Sequence, residues 1–193
     1  MYEHELDYNG IKLEEGSVSY GEVKGKKMIF CEGHKVIENP WFSHLPWVPA
    51  KGEMLTVRLE QGFPDKIING GKWLMPIGEG MYRAGASYSW EDLDDVRTEK
   101  GREQVIEGLK AILKMNRIEI IDQLTGIRPC TRDMRPYIGL HKEHKSLGIL
   151  NGLGSKGTMM GPYYARAMSD FLETGKSLDC EVSVVREELR KRG

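Results

Sequence analysis

Apolar positions in this chain fall in short runs cut by glycines, and two stretches space them at helical intervals. Residues 8–34, "YNGIKLEEGSVSYGEVKGKKMIFCEGH", read as short strands punctuated by Asn9-Gly10, Gly16 and Gly25, because glycine supplies the positive φ that tight hairpins need. Within them "KKMIFCEG" differs: it is continuously apolar and closed by glycine, the pattern of a strand buried on both faces. Pro40, Pro46 and Pro49 then predict a crossing connection without regular structure. It leads into a strand over 53–59, where Met54, Thr56 and Arg58 alternate imperfectly with Leu55, Val57 and Leu59. Short antiparallel strands follow at 66–68, 72–77 and 81–88, with turns at Asn69-Gly70-Gly71 and Gly78-Glu79-Gly80.

The clearest helix spans 98–116, where Val105, Leu109, Ile112 and Leu113 recur on one face and Thr98 stands at the N-cap. A strand over 117–129 comes next, then a hairpin over 135–152 with its turn near 143–146. A second helix over 158–173 is stopped by Gly175, and "CEVSVV" with a charged tail closes the chain. Strands, helix, strands, helix is the order of an α+β protein with an antiparallel or mixed sheet and two main helices.

Composition narrows the function. The 193 residues are enough for one domain or a large piece of a bigger enzyme. Charge is balanced, 28 basic against 29 acidic residues, so no global field favours nucleic acid or an anionic membrane, and Lys24, Lys26 and Lys27 read as a solvated face. Cys31, Cys130 and Cys180 form no C-x-x-C pair, which predicts free thiols in a reducing compartment and no zinc site. With no spanning apolar run and an acidic, unsignal-like start, the expectation is a soluble cytoplasmic protein.

The sharpest local motif is "NGLGSKGT", where Gly152, Gly154 and Gly157 stand in G-x-G-x-x-G spacing between a strand and a helix. This is the dinucleotide-cradle fingerprint, yet too little chain follows for the second strand and acidic residue of such a unit. Glu173 has the right separation but ends a helix. Lys156 precedes Gly157, which excludes a Walker loop. Glycines that only let helix and strand pack closely give the same pattern. Under either reading, a helix N-terminus with exposed N–H groups suits a ligand bearing carbonyl oxygens or negative charge.

Upstream, Gly126-Ile127-Arg128-Pro129, Thr131, Asp133, Pro136 and Ile138-Gly139 run into Gly152, Gly157 and Pro162. In that order they resemble the C-terminal part of the FAD-dependent D-amino acid oxidase-like superfamily, which includes glycine and sarcosine oxidases. "KKMIFCEGH" is similar to that family's late FAD-domain strand, and "PAKGEML" to the start of its substrate sheet; the likeness covers most of 26–175. The resemblance implies residual FAD-domain strands in 1–36, a substrate-binding sheet with helix in 37–127, and a flavin-closing strand-loop-helix with tail in 128–193. It implies FAD as cofactor, with Gly33, Gly152, Gly154, Ser155, Lys156, Gly157 and Thr158 at the flavin. Arg128 matches the arginine that pairs with a substrate carboxylate; a salt bridge to Asp133 is the structural alternative.

The N-terminal G-x-G-x-x-G and the adenosine-binding half have no counterpart here, so the chain resembles the second half of a longer enzyme. FAD is then not expected to stay on this chain alone, and the bared docking surface predicts self-association. The implied activity is hydride transfer to flavin from a small amino-acid-like or hydroxy-acid substrate. The alternative is a stand-alone α+β domain that binds a ligand or partner without cofactor. Cys130 lies too near Asp133 to match the family's covalent flavin attachment. His141 and His144 read as a solvated turn, His34 as a neighbour of the flavin or a surface residue, and Trp41, Phe42 and Trp47 as packing. Tyr82, Tyr88 and Trp90 are candidates for the substrate face, although alternation alone does not say which face each occupies.

Overall fold

The computed structural model describes residues 5–59, 65–113 and 118–186. Its strands are β1 (Ile11–Glu14), β2 (Ser17–Tyr20), β3 (Val23–Gly25), β4 (Met28–Phe30), β5 (Ala50–Arg58), β6 (Ile68–Gly70), β7 (Lys72–Gly78), β8 (Met81–Gly85), β9 (Glu119–Arg128), β10 (Tyr137–Leu140) and β11 (Leu147–Asn151). Its helices are α1 (Glu99–Leu113) and α2 (Gly157–Thr174). The fold is α+β and divides into two compact units, 1–48 with 129–193, and 49–128.

The unit of 49–128 is an antiparallel sheet in the order β6-β7-β8-β5-β9, with α1 on one face. Leu55 and Val57 of β5, Leu74 of β7, and Tyr82 and Ala84 of β8 meet Val105, Leu109 and Leu113 of α1 in one buried cluster. Thr98 caps α1 as its position predicts, its hydroxyl accepting from the Gly101 amide at 3.0 Å. Beneath it lies Glu53, only 3% exposed, which accepts from the Thr98 amide at 2.9 Å, its hydroxyl at 2.6 Å and the Gln123 amide group at 2.5 Å. A β-carbon at Gly101 would overlap the Glu53 carboxylate, which explains a glycine inside the first turn of a helix.

Several strand boundaries differ from the sequence pattern. β5 starts at Ala50 rather than 53, because Ala50, Lys51 and Gly52 pair with Arg128, Ile127 and Gly126 of β9. β6 includes Asn69 and Gly70, and the turn falls at Gly71 with φ +87°. β8 ends at Gly85, beyond which pairing to β5 resumes one step out of register at Lys51 and Ser89. Residues 114–116 of the expected first helix, and the charged tail from 187, lie outside the described residues.

The other unit contains the meander β1-β2-β3 and a second sheet in the order β10-β11-β4. β4 runs parallel to β11 and is packed on both faces as its apolar run predicts. Met28 and Phe30 face a cluster with Phe42, Leu45, Tyr137 and Ile149, while Ile29 faces Ile138, Met168 of α2 and Val182. Trp41, Phe42 and Trp47 all pack into the first of these clusters. α2 ends at Gly175, whose φ of +75° and N–H bond to the Phe171 carbonyl form the expected stop. The 180–185 segment forms no strand; it pairs with β10 at a single point, Ile138 with Ser183.

The β10–β11 turn is fastened by His141. Its Nδ1 accepts from the Glu143 amide at 3.2 Å and the His144 amide at 3.0 Å, and its ring packs on Phe42. Burial, reinforced by the charges of His144, His44 and Lys145 and opposed by Glu143, pushes the imidazole below the usual histidine range. The unfolded chain therefore takes up this proton first. The stabilisation is complete above a pH of about 6.5, the unfolded value, and is lost as pH falls toward the lower folded value. The melting midpoint should drop between pH 7 and pH 5, and less steeply in His141→Asn, whose carbonyl can take the same amides without titrating. Equal slopes would contradict this account.

Candidate functional site

Two groups of residues stand out, one in each unit. The first is built where the parallel strands β4 and β11 end side by side and each runs into a glycine turn. β4 leads through Cys31 and Glu32 to Gly33, at φ +63° with open space where a β-carbon would point. β11 leads to Gly152 at φ +86° and Gly154 at φ +53°, then a 3-10 turn over Gly154–Lys156 and α2. Asn151, 4% exposed, ties the two loops together: its Nδ2 donates to the Gly33 carbonyl at 2.9 Å and its Oδ1 accepts from the Gly152 amide at 2.8 Å.

The glycine loop rests on the chain that precedes β10. A β-carbon at Gly152 would come within 2.7 Å of the Thr131 methyl, 3.1 Å of the Trp47 ring and 3.3 Å of Pro136. One at Gly154 would stand 3.3 Å from the Cys130 sulfur, and the Gly154 amide donates to the Pro129 carbonyl at 3.2 Å. Gly152→Ala should therefore cost about 3 kcal/mol, combining left-handed backbone strain with overpacking. Gly33→Ala, strained but uncrowded, should cost about 1 kcal/mol. Denaturant midpoints of the two variants test the difference; equal losses would mean that contact with Thr131 and Trp47 is irrelevant.

No side chain caps the 3-10 turn or α2, and no acidic residue occupies the first turn of either. Ser155, Lys156 and Thr158 are exposed around this end, and a β-carbon at Gly157 would meet only the Leu153 side chain, at 3.8 Å. The uncapped backbone donors and the helix dipole at this end favour an acceptor bearing carbonyl oxygens or negative charge.

The second group lies on the face of the five-stranded sheet opposite α1. Arg128, the last residue of β9, folds back over Gly52 of β5. Its guanidinium donates to the Lys51 carbonyl at 3.2 Å and the Ser87 carbonyl at 3.3 Å, and stands 5.0 Å from the centre of the Tyr88 ring. Tyr88 in turn packs on Trp90 with centroids 4.8 Å apart. No carboxylate among the described residues pairs with Arg128. Asp133 belongs to Arg186 instead, at 3.0 and 3.2 Å. The expected alternative of an Arg128–Asp133 salt bridge is thereby replaced, because β9 carries Arg128 into the sheet unit while Asp133 turns under β10. Of the aromatic candidates, Tyr82 is buried in the cluster with α1, whereas Tyr88 and Trp90 are exposed.

Sequence reasoning did not single out Gly52 or Asn151. A glycine inside a strand is itself a signal of close approach, but Gly52 reads as the end of a proline-rich connection. Asn151 reads as an ordinary strand end, and its link to Gly33 across 118 positions is purely tertiary. Among the described residues, no helix is long and apolar enough to cross a membrane.

One unit thus carries paired parallel strands ending in a glycine loop and an uncapped helix, and the other an antiparallel sheet bearing an arginine. Residues 6–171 match the family of FAD dependent oxidoreductases, and the chain belongs to that family. It is 24% identical over 160 residues to glycine oxidase of Pseudomonas aeruginosa, an alignment covering 81% of this chain and 44% of that protein. Its fold is similar to the crystal structure of glycine oxidase from Geobacillus kaustophilus, with a TM-score of 0.69 at 20% identity, covering 84% of this chain and 46% of that one. It is also similar to L-proline dehydrogenase from P. horikoshii, with a TM-score of 0.74 at 17% identity, covering 91% and 50%. The chain therefore spans half or less of the length of these relatives.

Proposed function

We propose that this chain supplies the substrate sheet and the flavin-facing loop of an FAD-dependent oxidoreductase acting on a small amino-acid-like or hydroxy-acid substrate. The observation that carries the reading is Arg128: a half-buried guanidinium, anchored only by backbone carbonyls and a ring, with its other N–H donors uncommitted to any carboxylate among the described residues. Such a fork takes a carboxylate through paired charge-assisted hydrogen bonds and fixes its orientation. Glycine and proline, named in the relatives, carry a carboxylate beside the amine-bearing carbon.

In the other unit, Gly33, Gly152, Gly154 and Gly157 keep side chains away from the ends of β4 and β11. Ser155, Lys156 and Thr158 surround the amides that begin α2. These donors and the helix dipole stabilise negative charge on a bound acceptor, with Lys156 adding a mobile cation. FAD, when bound, supplies the hydride acceptor that no side chain can provide. The test is to combine the chain with an FAD-binding half, offer FAD and record the flavin absorbance, followed by its bleaching with amino or hydroxy acids. A protein that stays colourless would leave only a cofactor-free binding domain.

A further inference from the structure

We infer that Gly52 is a positioning residue whose missing side chain is the seat of the Arg128 guanidinium, and that this seat, together with Tyr88, sets how a planar carboxylate is received. The inference rests on the carboxylate role proposed for Arg128. Gly52 lies inside β5, paired with Gly126, where a glycine costs a strand about 0.5–1 kcal/mol relative to alanine. Its φ is not positive, so conformational freedom does not account for it. Space does. A β-carbon there would overlap Cζ and both terminal nitrogens of Arg128, whereas one at neighbouring Gly126 would meet nothing within 4 Å.

The consequence is a guanidinium held flat on the sheet and fixed on several sides. Gly52 is its floor, the Lys51 and Ser87 carbonyls take one N–H from each terminal nitrogen, and the Tyr88 ring stands 5.0 Å away as a wall. A free arginine side chain must surrender rotamer entropy when it meets a ligand; this one has already been ordered by its strand neighbours. The seated geometry leaves the remaining donors directed away from the anchoring carbonyls. It therefore favours a small monocarboxylate that lies flat against the sheet, and the Tyr88–Trp90 pair borders it with apolar surface.

The experiment uses this chain, labelled for NMR observation of arginine Nε–Hε groups and titrated with acetate. In the wild type the Arg128 signal should move on titration. In Gly52→Ala the acetate dissociation constant should rise at least tenfold with the amide spectrum otherwise preserved. Tyr88→Leu, which keeps the floor and removes the wall, should give a smaller rise of about threefold, the loss of a cation–π contact. Acetate bound equally well by Gly52→Ala and wild type would overturn the inference while leaving the carboxylate role of Arg128 intact.

A wild type that shows no acetate-dependent shift at Arg128 would instead remove the carboxylate role, and the substrate half of the inference with it. The seat itself is then decided by melting temperatures. If Gly52 exists to admit the guanidinium, Gly52→Ala should cost stability in the wild type and nothing further in Arg128→Ala. Additive losses in the double variant would mean that Gly52 acts independently of Arg128 and would overturn the inference.

Discussion

In a flavin-loaded enzyme containing this chain, Arg128→Ala should raise the KM for a carboxylate substrate about a hundredfold while flavin retention stays unchanged. The magnitude follows from truncating one partner of a charge-assisted pair, roughly 2–5 kcal/mol, at about 1.4 kcal/mol per tenfold. The selectivity follows from the contacts: Arg128 touches Lys51, Ser87 and Tyr88, all within the sheet unit. Arg128→Lys should recover only part of the loss, since an ammonium cannot reproduce the fork or bond both backbone carbonyls in one plane. Steady-state kinetics with paired flavin absorbance read both quantities. Unchanged KM in Arg128→Ala would remove this residue from substrate binding and leave the sheet without an anion anchor.

The largest loss of stability should come from Arg186→Ala. Arg186 is 2% exposed and bonds both carboxylate oxygens of Asp133, the Arg135 carbonyl at 2.9 Å and the Pro136 carbonyl at 2.7 Å. Its guanidinium also lies 3.3 Å from the centre of the Tyr137 ring. Removing it takes the cation from a partly buried carboxylate and leaves it to neutral donors such as the Arg135 amide and the Thr131 hydroxyl, a break that costs about 3–5 kcal/mol. For a chain of this size that is a fall of roughly 10 °C in melting temperature. The effect should reach the glycine loop, because Thr131 and Pro136, which flank this cluster, are the groups on which Gly152 rests. Hydrogen exchange at the Gly154 amide should accelerate in the same variant. A melting temperature within a degree or two of wild type would show that the cluster is dispensable.

Much of the fold was legible because local chemistry and tertiary structure agree. Val105, Leu109 and Leu113 at helical spacing mark the buried stripe of α1, Thr98 its cap, and Gly175 the end of α2. The continuous apolar run at Met28–Phe30 predicts a strand packed on both faces, and that burial is present. Boundaries were less legible where pairing overrides composition: Ala50–Gly52 looks like loop and becomes strand because β9 offers a partner.

The sequence by itself determined the class of protein. Spacing alone left "NGLGSKGT" open between a pyrophosphate cradle and simple close packing. The order of Gly126-Ile-Arg-Pro, Ile138-Gly139 and the glycine loop placed the chain among the FAD-dependent oxidoreductases, and the match over 6–171 agrees. Only the tertiary structure decided which arginines meet a carboxylate and which rests on backbone carbonyls. Arg128, Arg132, Arg135 and Arg186 are equivalent cations along the chain, but their surroundings are set by contacts distant in sequence. Arg186 meets Asp133 across 53 positions, Arg135 meets Glu181, and Arg128 meets carbonyls 41 and 77 positions away. Whether a charge is spent on the fold or kept for a ligand depends on such long-range neighbours, and no local pattern encodes them.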